Sequence, residues 1–409
     1  MINKRINIKG AYRLENLDAE RAFAYGEGRM FDRWIDTVNG SARSNGYNEG
    51  DLIANPAYII ESVIRDEILT ERDLVMGTPP ARDSFPCTGL ISSVDDYYNN
   101  AIAYRVTDGA KDYVADFTGS GQTIDLSGAG NPAADGEKFY LTNVQGDNKV
   151  DYASFDTIGN TTDGKRKDWI FGRSLNSRQA SNDIIEQLLF ESSCILFRSY
   201  DKYKLVALDE ESGSVDTWTE PIKDRDSKQE IFQAALTPLE NVYSDFRLNY
   251  FYDYGSGTYK KQMYVNAKSM SSNATVLNPG VDQQKCIDAE INYRIRNRKF
   301  EYNADWIYDD NTAEYLLQKL ILALTVQRLI ITWGAPIATH IKYEVGDQVI
   351  LNNSRLLPTG VSNTSKFMIF SRRIRSVRGA PYVIFNLIMP GSVTGGYGYN
   401  YGNLYGTGL

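Results

Sequence analysis

The chain has 409 residues, 42% of them hydrophobic and 23% charged, with a formal net charge of −8. That length exceeds one ordinary core, so two to four domains are expected. The mild acidity, without a dominant Lys/Arg stripe, excludes nucleic-acid backbone binding as the main task.

The first strand is expected at Ile2, Ile6 and Ile8. Residues 10–50 are rich in Gly, Asn and Arg and carry no firm pattern. Asn55 then caps a helix that Pro56 starts, with Ile59, Ile60, Val63, Ile64 and Ile68 on its buried side. This helix is predicted to end before Gly77-Thr78-Pro79-Pro80. From 89 to 155 the composition shifts to Asp, Gly, Tyr and Asn. Short alternating runs at 101–106, 113–117, 123–126 and 138–144 predict a small inserted β-domain without helices. A second helix spans 181–192, with Ile184, Ile185, Leu188 and Leu189 as its apolar face. It leads into a hairpin of strands 194–198 and 203–208.

Residues 209–230 read as a charged linker. A Tyr-rich hairpin follows, with strands 241–252 and 259–265 around a turn at 254–257. A strand is predicted at 287–295. Arg294, Arg296, Arg298 and Lys299 alternate, so they read as the wet face of a strand. Asn311 is expected to cap a helix whose apolar face is Ala313, Leu316, Leu317, Leu320, Ile321 and Leu324. Strands are predicted at 329–333 and 337–343, broken by Gly-Ala-Pro. The turn Glu344-Val345-Gly346-Asp347 needs positive φ at Gly346. Further strands at 348–351, 366–377 and 382–389 complete a helix feeding a short antiparallel barrel. The Gly/Tyr/Asn repeats of 391–409 have no packing pattern, though Tyr397, Tyr399, Tyr401 and Tyr405 could dock on a neighbouring chain.

Little of this points to catalysis. The single histidine, His340, excludes a metal centre built on several histidines, and a lone His on a strand pattern reads as structural. Gly119-Ser120-Gly121 lacks the Gly-Lys-Ser/Thr ending of a phosphate loop, and Gly26-Glu27-Gly28 fits no fingerprint. Asp95, Asp96, Asp108 and Asp112 miss the calcium-loop spacing and read as turn residues. Cys87, Cys194 and Cys286 are odd in number and contain no Cys-x-x-Cys pair, which excludes a disulfide framework. Cys194 sits in an apolar run and reads as a buried thiol. Residues 1–10 do not resemble a signal peptide, and no apolar run is long enough to cross a bilayer, so synthesis in a reducing cytoplasm is expected. The 28 tyrosines, against 16 phenylalanines and 5 tryptophans, suit strands and protein interfaces.

The order of these pieces carries a resemblance. It runs from the helix at Asn55-Pro56-Ala57 through a strand start at Phe155-Asp156, Trp169, the 184–189 helix and the 194–208 hairpin. It continues with the Leu239-Glu240-Asn241-Val242 strand, the last helix, two strands and Val345-Gly346-Asp347-Gln348-Val349. This succession resembles the baseplate-hub or tail-tip proteins of long-tailed bacteriophages and gene transfer agents. It covers about residues 50–390, with 89–155 as an added domain.

The resemblance implies an α+β, mostly β fold of several small β-barrel or sandwich domains with a few amphipathic helices, in a hub-type architecture. Residues 1–88 would hold N-terminal strands and the capped helix, as part of a tube-like barrel. The inserted β-domain is 89–155, a helix-plus-hairpin domain 156–235, and a second tube-like barrel 236–390 with the helix 311–328. Residues 391–409 form the tail.

It further implies a structural ring of three chains that continues the tail tube at the virion tail tip. The partners would be a distal tail adaptor, a tape-measure protein, and a separate spike or fibre protein. DNA would pass only in transit, and there would be no stable membrane insertion. Lumenal carboxylates would repel its phosphates. No catalytic, cofactor-binding or metal-ligating residue is assigned and no cofactor is expected. Two alternatives stand beside the hub: another tail-tip component, such as a six-fold distal adaptor or fibre anchor, and a surface protein that binds or hydrolyses glycans.

Overall fold

The computed structural model describes residues 37–38, 41–42, 53–78, 84–106, 111–127, 136, 138–173, 179–208, 215–223, 230–271, 279–357, 361–377 and 380–389. The strand expected at Ile2, Ile6 and Ile8, the Gly26-Glu27-Gly28 run, Asp108 and the tail from Gly391 lie outside them. The fold is mostly β. Two compact units divide the chain: Met1–Ser192 with Arg198–Leu205, and Ser193–Phe197 with Val206–Leu409.

The first unit begins with a two-residue ladder, β1 (Thr37–Val38) and β2 (Ser41–Ala42). Helix α1 (Pro56–Val63) starts as its sequence dictates: the Asn55 side chain accepts from the Ala57 N–H at 3.0 Å, and Pro56 occupies the first turn. The helix runs into one wide turn, Ile64–Ile68, and stops there. The next residues form β3 (Glu71–Met76), so the helix is shorter than the sequence suggested. Ile59, Ile60, Val63 and Ile64 are buried as expected, and Ile68 is half-buried.

β3 joins β4 (Ser84–Thr88), β5 (Ile102–Arg105), β6 (Lys111–Thr118), β7 (Thr123–Leu126) and β8 (Lys138–Thr142) in a closed barrel of order β3-β4-β7-β6-β5-β8. Two of its six strands precede residue 89, so the boundary expected there falls between paired strands. Leu74, Phe85, Phe117, Ile124, Phe139 and Leu141 fill the interior. Phe85 and Phe139 meet edge to face at 5.6 Å, so this barrel is a packed core and not a conduit.

No helix was expected within 89–155, yet a helical turn at Gly146–Lys149 and helix α2 (Tyr152–Gly159) follow the barrel. The strand start expected at Phe155-Asp156 therefore lies inside a helix. Phe155 and Ile158, three apart, are both buried on one face, a spacing a strand cannot use. Helix α3 (Ser181–Ser192) has the predicted bounds, and α1 packs on both α2 and α3. Gly159 makes the close approach possible: a Cβ there would lie 2.9 Å from Asn55 Oδ1 and 3.0 Å from the Tyr58 ring.

Strands β9 (Cys194–Ser199) and β10 (Lys202–Ala207) form the predicted hairpin. Its two turn residues, Tyr200 and Asp201, take φ of 48° and 70°, as a tight right-twisted hairpin requires.

The second unit holds two sheets. The larger contains β11 (Asp216–Trp218), β12 (Phe232–Leu236), β16 (Leu329–Pro336), β17 (Gln348–Leu351), β18 (Lys366–Val377) and β19 (Ala380–Ile388) in the order β11-β17-β18-β19-β16-β12. The smaller has the order β14-β13-β15, from β13 (Asp245–Asp253), β14 (Thr258–Asn266) and β15 (Lys299–Asn303). The larger sheet is open and mixed, since β11 runs parallel to β17. Part of the expected charged linker, 216–218, thus becomes an edge strand, and the expected C-terminal barrel is not closed by pairing. Trp333, Val349, Phe367, Val383, Phe385 and Leu387 form its core.

Three local expectations are corrected in this unit. The predicted strand over 287–295 is helix α4 (Gln284–Tyr293): Asp282, Cys286 and Ala289 are buried at spacings of four and three. The last helix, α5 (Asp310–Leu324), is capped by Asp309, whose carboxylate accepts from the Thr312 N–H at 2.9 Å, two residues before the expected Asn311. Leu322 is buried and Leu324 only half-buried. Finally, β16 continues through Gly334-Ala335-Pro336, and Ile337–His340 is a helical turn. Gly334 permits the continuation, because a Cβ there would lie 2.6 Å from Ile231 Cβ. Gly346 takes φ of +94°, as the turn required.

Candidate functional site

Among the described residues, four clusters of titratable side chains each have an anchoring role. His340 stands on the helical turn after β16. Its ring meets Trp218 edge-on at 5.0 Å, and Nδ1 lies 2.7 Å from the Thr339 hydroxyl. Burial holds its pKa below the ordinary value, although a hydrogen bond to the Pro336 carbonyl opposes this. The carboxylate nearby, Asp216, accepts instead from the Tyr343 hydroxyl and from Lys342 at 3.1 Å. Those two partners, Tyr343 first, hold its pKa low. A hydrolytic triad needs the acid on the imidazole; here the acid fastens the edge strand β11. Trp218 completes the anchor by packing on Trp333, Tyr343 and Phe385.

The second place is Glu71 on β3. Tyr98 donates to both its oxygens at 2.9 and 2.8 Å, and the Ile91 N–H donates at 3.2 Å. Burial raises the Tyr98 pKa, with Glu71 adding to it. Burial, then Glu71, also pushes the Cys87 thiol up to about 12. Cys286 rises to about 12 as well, by burial and then by Asp282, Asp245 and Glu290. All three cysteines are buried and outside any disulfide, an inert setting for sulfur.

At the third place, Tyr250 and Lys261 both reach Asp310 Oδ1, at 2.8 and 2.7 Å, and bind the start of α5 to the smaller sheet. Burial opposes the Asp310 charge, but these two hydrogen bonds outweigh it and hold the carboxyl below its usual range. Fourth, Arg65 and Glu61 are fully buried and meet at 2.9 Å, with Asn143 accepting from Arg65 Nη1 at 2.8 Å. An i, i+4 opposite-charge pair inside an apolar helix face was the visible signal of this one.

The other residues weighed from sequence do not converge. Asp95 accepts from the Gly119 N–H at 2.7 Å, Asp96 from Asn99 at 2.9 Å and Asp112 from Ser127 at 3.0 Å. Among the described residues no group of three or more His, Cys, Asp and Glu could hold a metal ion. Gly119 serves packing: a Cβ there would lie 1.9 Å from the Ser93 carbonyl oxygen. The Arg294–Lys299 alternation is not one strand face. Arg294 ends α4 with φ of +53°, Arg298 donates to the Leu239 carbonyl at 2.7 Å, and only Lys299 lies in β15.

What the second unit displays is broad, braced sheet surface. On the smaller sheet Phe246, Leu248, Met263 and Val265 face the core. The opposite face carries an amide ladder: Gln262 donates to Asn249, and Asn249 donates to Glu301 and Asn303, at 2.7–2.9 Å. A similar ladder crosses the larger sheet, Thr332 to Asn386 at 3.1 Å and Asn386 to Ser371 at 2.8 Å. Charges flank the sheet's β11 side, where Arg355 meets Glu230 at 2.6 Å and Glu220 at 3.5 Å, and such charges discourage indiscriminate edge pairing.

No family model matches the sequence, and no curated protein matches it. Several solved structures are similar. One is a chain of the virion of a native gene transfer agent particle, at 10% identity over 67% of this chain and 65% of that one, with a TM-score of 0.36. Others are a tail protein from Neisseria meningitidis MC58, at 10% identity over 78% and 96% with a TM-score of 0.33. A third is the 43 kDa tail protein of prophage MuSo2 from Shewanella oneidensis, at 10% identity over 78% and 95% with a TM-score of 0.34. The chain thus spans about two thirds of the gene transfer agent chain it matches.

Proposed function

We propose that this chain is a structural subunit of a phage-type tail tip, a hub that joins copies of itself into a ring continuing the tail tube. The observation that carries this is the second unit's surface. Two sheets bury one face each and brace the other with cross-strand amide and hydroxyl ladders, at 2.7–3.1 Å. Such faces are stiff, wet and broad, which suits a wall against water or a neighbouring wall. The conspicuous ionisable groups support the same view, since Asp216, Glu71, Asp310 and Glu61 each hold a strand, loop or helix in place.

Because the closed barrel is filled by side chains, any passage for DNA would lie between copies and not through a barrel. Three copies would close the ring, with the adaptor and tape-measure proteins on one side and a spike or fibre on the other. Mass spectrometry and immunogold labelling of purified tail particles test this reading. The expected result is the chain at the tip in about three copies. Its absence from particles, or a position along a side fibre, would overturn it.

A further inference from the structure

One loop of the barrel and one helix end of the second unit carry exposed apolar residues inside opposite charge. Between β4 and β5, Ile91 is 82% exposed and Val94 65% exposed. The loop that carries them is pinned on both sides. Glu71 accepts from the Ile91 N–H at 3.2 Å, the Ser92 N–H donates to Tyr98 at 3.0 Å, and the Asp96 N–H donates to the Phe117 carbonyl at 3.0 Å. Ser93 sits against Gly119, where no Cβ fits. The barrel segments that flank it are acidic: residues 84–106 and 111–127 contain Asp95, Asp96, Asp112, Asp116 and Asp125, against Arg105 and Lys111.

The counterpart is the end of α4. Ile291 is 68% exposed. Arg294 and Arg296 are exposed and have no carboxylate partner among the described residues. This turn is fixed too: the Asn297 N–H donates to Glu290 at 3.0 Å and Arg298 to the Leu239 carbonyl at 2.7 Å. A helix C-terminus favours cations by its dipole, which accounts for arginines there. It does not account for Ile291, left in water one turn before them.

We propose that the loop bearing Ile91 and Val94 of one copy docks on the helix end bearing Ile291, Arg294 and Arg296 of a second copy. Each patch has exposed apolar side chains among charged ones. The loop side is net acidic, and the helix end is net basic, with Lys285, Arg294, Arg296 and Arg298 against Asp288 and Glu290. Both are rigid before they meet, so little ordering opposes the contact. The two patches are different surfaces, so the contact is head to tail, the kind that builds rings when the rotation closes. They set the register of a larger interface. This inference rests on the ring reading above and names the surfaces that would make it.

Sedimentation velocity of the full chain tests it, with circular dichroism as the check on folding. The wild-type chain should self-associate, and raising salt from about 50 to about 500 mM should weaken association about tenfold. Val94→Lys and Arg296→Glu should each weaken it about tenfold or more, and the two together should restore it to within about threefold. A chain that stays monomeric to about 100 μM, far above the affinity of a specific interface, would overturn the inference. So would association that ignores both variants. Association lost only on Arg373→Glu with Arg375→Glu would place the contact on β18, where Ile374 is 57% exposed, and would also overturn it. Particle content separates the two proposals. A monomeric chain found in tail particles sinks this contact alone, whereas an associating chain absent from particles sinks the tail reading and leaves the contact standing.

Discussion

Replacing Glu61 by Leu should be among the most damaging single changes in the first unit. Glu61 and Arg65 are each 0% exposed and their Nε–Oε1 distance is 2.9 Å. The substitution removes the carboxylate that meets the fully buried guanidinium, to which Asn143 stays an acceptor at 2.8 Å. Relaxation has little room, because a single added carbon at Gly146 would already lie 2.4 Å from Arg65 Nη1 and 1.6 Å from Asn143 Oδ1. Removing one partner of a buried pair costs about 3–5 kcal/mol, which corresponds to a melting shift of roughly 10 °C in a unit of this size. Glu61→Leu combined with Arg65→Met removes both charges and should cost only about 1–2 kcal/mol, mainly from the acceptor left on Asn143. Adding Arg65→Met should therefore recover about 2–3 kcal/mol of the Glu61→Leu loss. Differential scanning calorimetry of the full chain measures both variants against the parent chain. A single-variant loss below about 1 kcal/mol, or a double variant no better than Glu61→Leu, would refute the reasoning.

Three further outcomes are expected. Gly346→Ala should destabilise by about 2–4 kcal/mol, since φ is +94° and the new Cβ would meet Val206 Cγ1 at 2.4 Å; urea titration measures it, and a loss under about 0.5 kcal/mol would contradict the turn geometry. His340 titrates below its ordinary 6.5 because of burial. The unfolded chain therefore takes up the proton first as pH falls. The histidine's contribution is fully present above the unfolded value and declines as pH drops through the folded one. His340→Asn should flatten the stability profile from about pH 7 to about 5, and an unchanged slope would argue against it. The buried thiols Cys87 and Cys286, both raised to about 12, should react with an aromatic disulfide reagent at pH 8 only as fast as the chain opens. Rapid labelling of the native chain would show the burial to be wrong.

Much of the local structure was legible in the residues themselves. Asn55-Pro56 fixed the start of α1 because cap and first-turn chemistry involve only neighbours. Ile184, Ile185 and Leu188 marked α3 by their spacing. Short alternating runs found β5, β7 and β8, and Gly346 announced its positive φ. Misreadings fell where partners distant in sequence decide. Residues 287–295 carry alternating apolar groups that fit a strand, yet Asp282, Cys286 and Ala289 are buried at helical spacing, while Ile291 of the alternating set is exposed. Gly-Ala-Pro at 334–336 looks like a break until Ile231 is seen packed on Gly334. The anchors at Asp216 and Glu71 left no local signature, because their partners lie 126 and 27 residues away.

The sequence by itself determined the class: a mostly β chain with more than one core, no disulfide framework and one histidine. Composition and periodicity settle these because they depend on which residues are present and on how they repeat over a few turns. Tertiary structure alone decided which strands closed into a barrel, which stayed an open sheet, and where each carboxylate found its donor. Pairing order depends on contacts between segments far apart in the chain, and no local preference encodes it.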